Sequence, residues 1–119
     1  MSLKVGCDII SIGRFEQSAK NGGKEFLQRI FSASELANTP NIETLAGMFA
    51  AKEAVMKALG ETVPLQAGDW KKIVITKKRN GRPEVQLPEW NDNIVSRDVS
   101  ISHDQEYAMA VAVFMVTGN

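Results

Sequence analysis

The sequence predicts an α+β fold: a small antiparallel sheet packed against one central helix. Two observations carry this expectation. Helical periodicity and helix caps fill residues 11–60, and after residue 70 the apolar period shortens to that of strands. The order is strand, helices, then a meander of strands, which is an α+β layout and not a βαβ alternation. At 119 residues, 44% of them hydrophobic, the chain suits a single domain, 1–119, with a real core.

Val5–Ile10 is short, apolar and β-branched, a strand interrupted by Asp8. Ser11 is a candidate N-cap for a helix over Ser11–Lys20. Asn21-Gly22-Gly23 signals a turn, and Glu25–Phe31 returns to helix. Ser32 and Glu35 have capping-box spacing, so a further helical turn starts there. Asn38–Asn41 reads as a loop and Thr44–Leu59 as the central helix, with Gly60 where it would end. Lys72–Lys78 and Arg82–Leu87 flank Asn80-Gly81, the strongest short hairpin signal, with Pro83 marking an edge or irregular start. Pro88–Val95 is expected to form one or two helical turns. Val99–Ser102 is a strand, His103–Glu106 a turn and Tyr107–Val116 a long strand.

That last strand is apolar on both faces. Ala108, Ala110, Ala112, Phe114 and Val116 point one way, and the alanines suit close contact with the central helix. Tyr107, Met109, Val111, Val113 and Met115 point the other way and need cover, either from the remaining helices or from another subunit.

Charge excludes some functions. Basic and acidic residues balance at 14 each, so no global field favours nucleic acid. No apolar run approaches a membrane span, and no signal peptide precedes the first strand. Cys7 is the single cysteine, expected as a small buried hydrophobe in a reducing, cytoplasmic setting. One cysteine and one histidine cannot build a zinc site. Locally, Arg14, Lys20, Lys24 and Arg29 outnumber Glu16 and Glu25, a modest basic surface fit for an acidic partner.

Chemistry concentrates in the central helix. Glu53 and Lys57 share a face with Phe49 and Gly60, either as an ordinary i,i+4 pair or as part of a site. Alanines at 50, 51, 54 and 58 leave little bulk around them, as if a phosphorylated ligand approached the helix closely. Lys52 falls inside the apolar stripe of Leu45, Met48, Val55 and Leu59, so it must snorkel out, find an acid or hold a ligand anion. Asp8, a carboxylate in an apolar strand, either converges with Glu53 on a cation or pairs with a lysine or backbone N–H groups. His103 lies where a strand meets a turn, a frequent place for binding residues.

Taken together, these pieces resemble the holo-[acyl-carrier-protein] synthase group of the 4'-phosphopantetheinyl transferase superfamily. The opening Gly-x-Asp with an Arg six residues on stands as Gly6-Cys7-Asp8 and Arg14. The pattern Phe-Ala-x-Lys-Glu-Ala-x-x-Lys-Ala-x-Gly runs from Phe49 to Gly60. The hairpin Gly-x-Pro is Gly81-Arg82-Pro83, and the closing Ser-x-Ser-His-x-x-x-Tyr-Ala-x-Ala runs from Ser100 to Ala110. The resemblance implies transfer of the phosphopantetheine arm of coenzyme A to a serine of apo acyl carrier protein, with Mg²⁺, in a homotrimer with sites between subunits. It implies Asp8 and Glu53 as metal ligands, and Asp8, Glu53 and Lys57 as the catalytic set. Lys52, Lys57, Gly60 and His103 would contact coenzyme A. Arg14, Lys20, Lys24 and Arg29, with Phe15 and Phe26 as apolar contacts, would dock the acidic carrier.

Three positions depart from the family pattern: Met48 where a basic residue is usual, Ser11 where Glu is common, and Glu61-Thr62 where Thr-Gly is usual. A transferase for a specialised carrier and a non-catalytic coenzyme A- or carrier-binding protein are the alternatives. A nucleic-acid binder is the weakest, because the strands lack exposed aromatics with basic neighbours.

Overall fold

The computed structural model describes residues 1–119 except Thr39, Ala67 and Asn119. Strand β1 (Ser2–Ser11) leads directly into helix α1 (Ile12–Ile30), followed by α2 (Ala33–Ala37) and α3 (Ile42–Leu59). A 3₁₀ turn at Asp69–Lys72 precedes β2 (Val74–Lys77), β3 (Pro83–Gln86), β4 (Ile94–His103) and β5 (Tyr107–Val116). The strands form two antiparallel sheets: β1-β5-β4, and the hairpin β2-β3.

Local chemistry explains most boundaries. Ser11 caps α1, its side chain accepting a hydrogen bond from the Arg14 N–H at 3.3 Å. The Asn21-Gly22-Gly23 signal proves to be a kink within α1, where Gly23 takes φ +60° and the chain resumes helix on the other side. Ser32 and Glu35 complete the expected capping box, each side chain satisfying the other's backbone N–H. Asn41 caps α3 by accepting from the Thr44 N–H at 2.8 Å, so the helix begins at Ile42, ahead of the expected Thr44. The loop expected at Asn38–Asn41 includes Thr39, which lies outside the described residues.

In the hairpin, the Gly81 N–H donates to the Lys78 carbonyl and the Lys78 N–H to the Arg82 carbonyl. Gly81, at φ +86°, absorbs the left-handed position that closes a three-residue loop. Pro83 opens β3, as expected of a residue with no N–H to give. The helical turns expected over Pro88–Val95 do not form. Trp90 adopts φ +62°, the Asn91 side chain donates to the Leu87 carbonyl, and β4 has already begun at Ile94.

Helix α3 lies across the three-stranded sheet. Ala50, Ala51, Ala54 and Ala58 on the helix, and Ala108, Ala110, Ala112 and Phe114 on β5, are all buried. The closest approach is at Gly6. A Cβ there would stand 2.1 Å from the Ala54 carbonyl oxygen and 2.7 Å from the Ala58 nitrogen, so only glycine fits. The small residues of α3 therefore admit the sheet, not the closely approaching ligand expected from the sequence. At the α1 side of the same core, Phe15, Phe26, Phe31, Phe49 and Trp70 form an aromatic cluster.

The other face of the sheet has no cover among the described residues. Leu3, Val5 and Ile9 of β1 are each more than 60% exposed, and Tyr107 and Met109 of β5 are nearly half exposed. Cys7 belongs to this face and is exposed, contrary to its expected burial, because no helix of the described residues packs there. Among the described residues no helix is long and apolar enough to cross a membrane.

Candidate active site

The close packing at Gly6 has a direct consequence for Asp8. Side chains alternate along β1, so Asp8 shares the helix-facing side with Gly6, opposite Ala110 of β5. It thereby meets Lys57, one turn from the end of α3. Lys57 Nζ donates to Asp8 Oδ1 at 2.8 Å and to the Cys7 carbonyl at 3.1 Å. The Lys57 side chain remains 57% exposed. The hydrogen bond to Asp8 raises the Lys57 pKa above the ordinary lysine value, so the ammonium stays charged at neutral pH.

Glu53, one turn before Lys57, completes the cluster. Its pKa is raised above the ordinary carboxylate value, first by burial and second by the negative charge of Asp8. Lys57 and the indole N–H of Trp70 act in the opposite direction. The indole nitrogen is buried and closes no ordinary hydrogen bond, so its effect on Glu53 is one of proximity. Two carboxylates that feel each other, with one lysine beside them, form a small site of net negative charge that favours a cation. Among the described residues no cluster of three or more acidic, histidine or cysteine side chains offers a full protein cage.

Of the three fates open to Lys52, the structure shows the acid partner and not the coenzyme A contact that the resemblance implies. Lys52 is completely buried, and Nζ bonds Glu35 Oε1 at 2.7 Å and the carbonyls of Ile30, Trp70 and Ile73 at 2.9, 3.0 and 2.7 Å. The Phe31 ring lies 5.2 Å from the ammonium. Burial lowers the Lys52 pKa, and Glu35 opposes that shift. An ammonium has three donors, all engaged here, so Lys52 neither snorkels nor has a proton left for coenzyme A. It found an acid: Glu35 Oε2 also accepts from the Ile75 N–H at 2.8 Å, and the pair ties α3 to α2, to the 3₁₀ turn and to β2.

The remaining expected residues are scattered. His103 ends β4, exposed, and lines an open depression of about 750 Å³ with Asn41, Glu43, Asp104, Gln105 and Glu106. Asp8, Glu53 and Lys57 do not line it. Gly60 is the C-cap of α3 in ordinary right-handed geometry at φ −56°, and it is exposed. Arg14, Lys20, Lys24 and Arg29 are all exposed on α1. Phe15 is not a surface contact: it is 4% exposed and stacks among Phe26, Phe31 and Phe49. Phe26 is half-buried on the same cluster.

The departures acquire physical readings. Met48 is buried in the core and presents no charge to a ligand. Ser11 serves as the α1 cap. Glu61 is exposed in the turn after α3. Sequence reasoning missed Glu35 and Trp70. Lys52 in an apolar stripe signalled that some acid must be near, but nothing in the spacing pointed to Glu35.

Comparison with known proteins identifies relatives of the whole chain. A family model described as "4'-phosphopantetheinyl transferase superfamily" matches residues 4–112. A holo-[acyl-carrier-protein] synthase of Sulfurovum is 42% identical over 113 residues, covering 92% of this chain and 94% of the relative. One from Campylobacter jejuni is 37% identical over 116 residues, covering 95% of this chain and all of the relative. The crystal structure of Helicobacter pylori holo-[acyl-carrier-protein] synthase in complex with coenzyme A superposes with a TM-score of 0.82 at 36% identity, covering 93% of this chain and 99% of that one.

Proposed function

The chain belongs to the 4'-phosphopantetheinyl transferase superfamily, and from that premise we propose that it transfers the 4'-phosphopantetheine arm of coenzyme A to a serine of an apo acyl carrier protein, releasing 3',5'-ADP. The observation that carries the reading is the convergence of Asp8 from β1 with Glu53 and Lys57 from α3. These are the positions to which the family resemblance assigns the chemistry, brought together by strand–helix contact from opposite parts of the sequence.

In the reaction a bond forms between the serine oxygen and the phosphorus bearing the pantetheine arm. The anhydride bond to the adenylate phosphate breaks, and its electron pair leaves on 3',5'-ADP. The serine proton needs an acceptor. Glu53, or a water beside it, can accept that proton. Lys57 is exposed beside the cluster and can place its ammonium against phosphate oxygens as charge moves to the leaving group.

The residues fit Mg²⁺. That ion takes one or two carboxylates and otherwise prefers water and phosphate oxygens, which matches two acidic side chains without a third. Asp8 and Glu53 would hold it. When bound, the ion supplies positive charge that offsets the diphosphate. Release of Asp8 from Lys57 would then free the ammonium for substrate.

The uncovered face of Leu3, Val5, Ile9, Tyr107 and Met109 supports assembly, and a homotrimer is the proposed state. His103 lies apart from Asp8 within one protomer, and a site shared between subunits would let it contribute to coenzyme A binding. The exposed basic residues of α1 (Arg14, Lys20, Lys24 and Arg29) are the proposed carrier dock. Cytoplasmic residence follows from the substrates.

Mass spectrometry of apo acyl carrier protein incubated with this chain, coenzyme A and Mg²⁺ tests the reading. A gain of one phosphopantetheine, roughly 340 Da, abolished by EDTA is expected. No gain with several carriers, despite retained coenzyme A binding, would leave a binding protein instead.

A further inference from the structure

Trp70 is the one feature of this region that neither the core nor the site has explained. Its indole nitrogen is buried without a hydrogen-bond partner among the described residues. An orphaned buried donor is expensive, and native proteins keep few of them. The ring is placed with care. It packs on Phe49 with centroids 5.8 Å apart, and its carbonyl accepts from buried Lys52 Nζ at 3.0 Å. Phe49 and Glu53 occupy successive turns on one face of α3. The Trp70 ring, resting on Phe49, therefore lies over the face of α3 that carries Glu53.

We propose that Trp70 is a positioning residue for Glu53. Its indole N–H donates to the carboxylate when Glu53 turns to work with Asp8 and Lys57, and it fixes which oxygen faces the reacting serine. The Lys52–Glu35 pair holds Trp70 in place through its carbonyl, linking the buried clamp to the active cluster. The indole also acts on the Glu53 carboxyl, against the rise that burial and Asp8 impose. The role assigned to Glu53 rests on the transferase reading; the Trp70–Glu53 contact does not.

The chain has two tryptophans, Trp70 and Trp90, so ¹⁵N-labelled protein gives two indole N–H signals that Trp90→Phe assigns. In Glu53→Ala the Trp70 indole proton should shift and exchange faster with water, while the Trp90 signal stays in place. Trp70→Phe keeps the ring, its packing on Phe49 and the backbone carbonyl. It should retain its melting temperature and both KM values while kcat falls roughly ten- to a hundred-fold, the range seen when a group orienting a functional carboxylate is lost. A Trp70 signal indifferent to Glu53→Ala would overturn the contact. Folded Trp70→Phe turning over within two-fold of the parent would overturn the positioning role. Should Trp70→Phe fail to fold, the indole signals decide. Should the parent prove inactive on every carrier, the signals still decide the contact, and the failure falls on the transferase reading.

Discussion

Helix α3 carries two lysines in ion pairs of nearly equal length, Lys52 with Glu35 at 2.7 Å and Lys57 with Asp8 at 2.8 Å. Distance alone would rank them together, yet their surroundings divide them. Lys52 is sealed in the core with three carbonyls and an aromatic ring around it, and its charge is committed to holding elements together. Lys57 stays largely in water, and its partner sits beside a second carboxylate. The difference teaches that an ion pair serves the fold when every donor is used inside, and serves chemistry when one partner can be exchanged for a ligand.

Breaking the buried pair should have the largest effect. Lys52→Met strands the Glu35 carboxylate in the core, and we expect a loss of about 3–5 kcal/mol, read as a fall in the denaturation midpoint. Adding Glu35→Gln removes the stranded charge but keeps an acceptor for the Ile75 N–H, so the double variant should recover part of that loss. An undiminished midpoint in Lys52→Met would mean that the ammonium is not structural. The exposed pair should show the opposite profile. Lys57→Ala is expected to cost no more than about 1 kcal/mol of stability, as for other solvent-screened pairs. Its turnover should fall about 10²–10³-fold, the usual consequence of losing a group that meets developing charge. Asp8→Ala sharpens the contrast: the fold should persist while the Mg²⁺ response of turnover disappears.

Smaller effects belong to the periphery. Reversing Arg14 and Lys24 to Glu should raise the KM for the carrier about ten-fold and leave that for coenzyme A in place, with a steeper loss at high salt in the parent. An unchanged carrier KM would move the dock off α1. The weakest expected effect is at the turn after β4. Asp104 accepts from the N–H groups of Tyr107 and Glu106 at 2.7 and 2.8 Å, which holds its pKa below the ordinary carboxylate value. A depressed carboxylate stabilises the fold above the unfolded pKa and loses that contribution as pH falls through the folded one. Exchange protection of the Tyr107 amide should therefore decline only in the acid range below the ordinary aspartate value of 3.8.

Much of this was legible in the sequence because it is local. Ser11 as a cap, the Ser32–Glu35 box, the Asn80-Gly81 hairpin and the alternation of Tyr107–Val116 each rest on neighbours a few residues away. The sequence left Asp8 either to converge with Glu53 on a cation or to pair with a lysine; the structure pairs it with Lys57, a partner set by Gly6 lying against Ala54. The errors share one cause, since burial is decided by what packs on a segment. Phe15 carries the pattern of a surface helix yet seats an aromatic cluster, and Cys7 sits in an apolar strand whose outer face no described residue covers. Pro88–Val95 failed as a helix because Trp90 reverses its φ, a choice that no propensity scale reads.

The most direct measurement is the initial rate of phosphopantetheine transfer by Lys57→Met beside its melting temperature. We expect the rate to drop at least a hundred-fold with the melting temperature within a few degrees of the parent. A rate within two-fold of the parent would contradict the assignment of the exposed lysine to the chemistry, and with it the division of labour along α3.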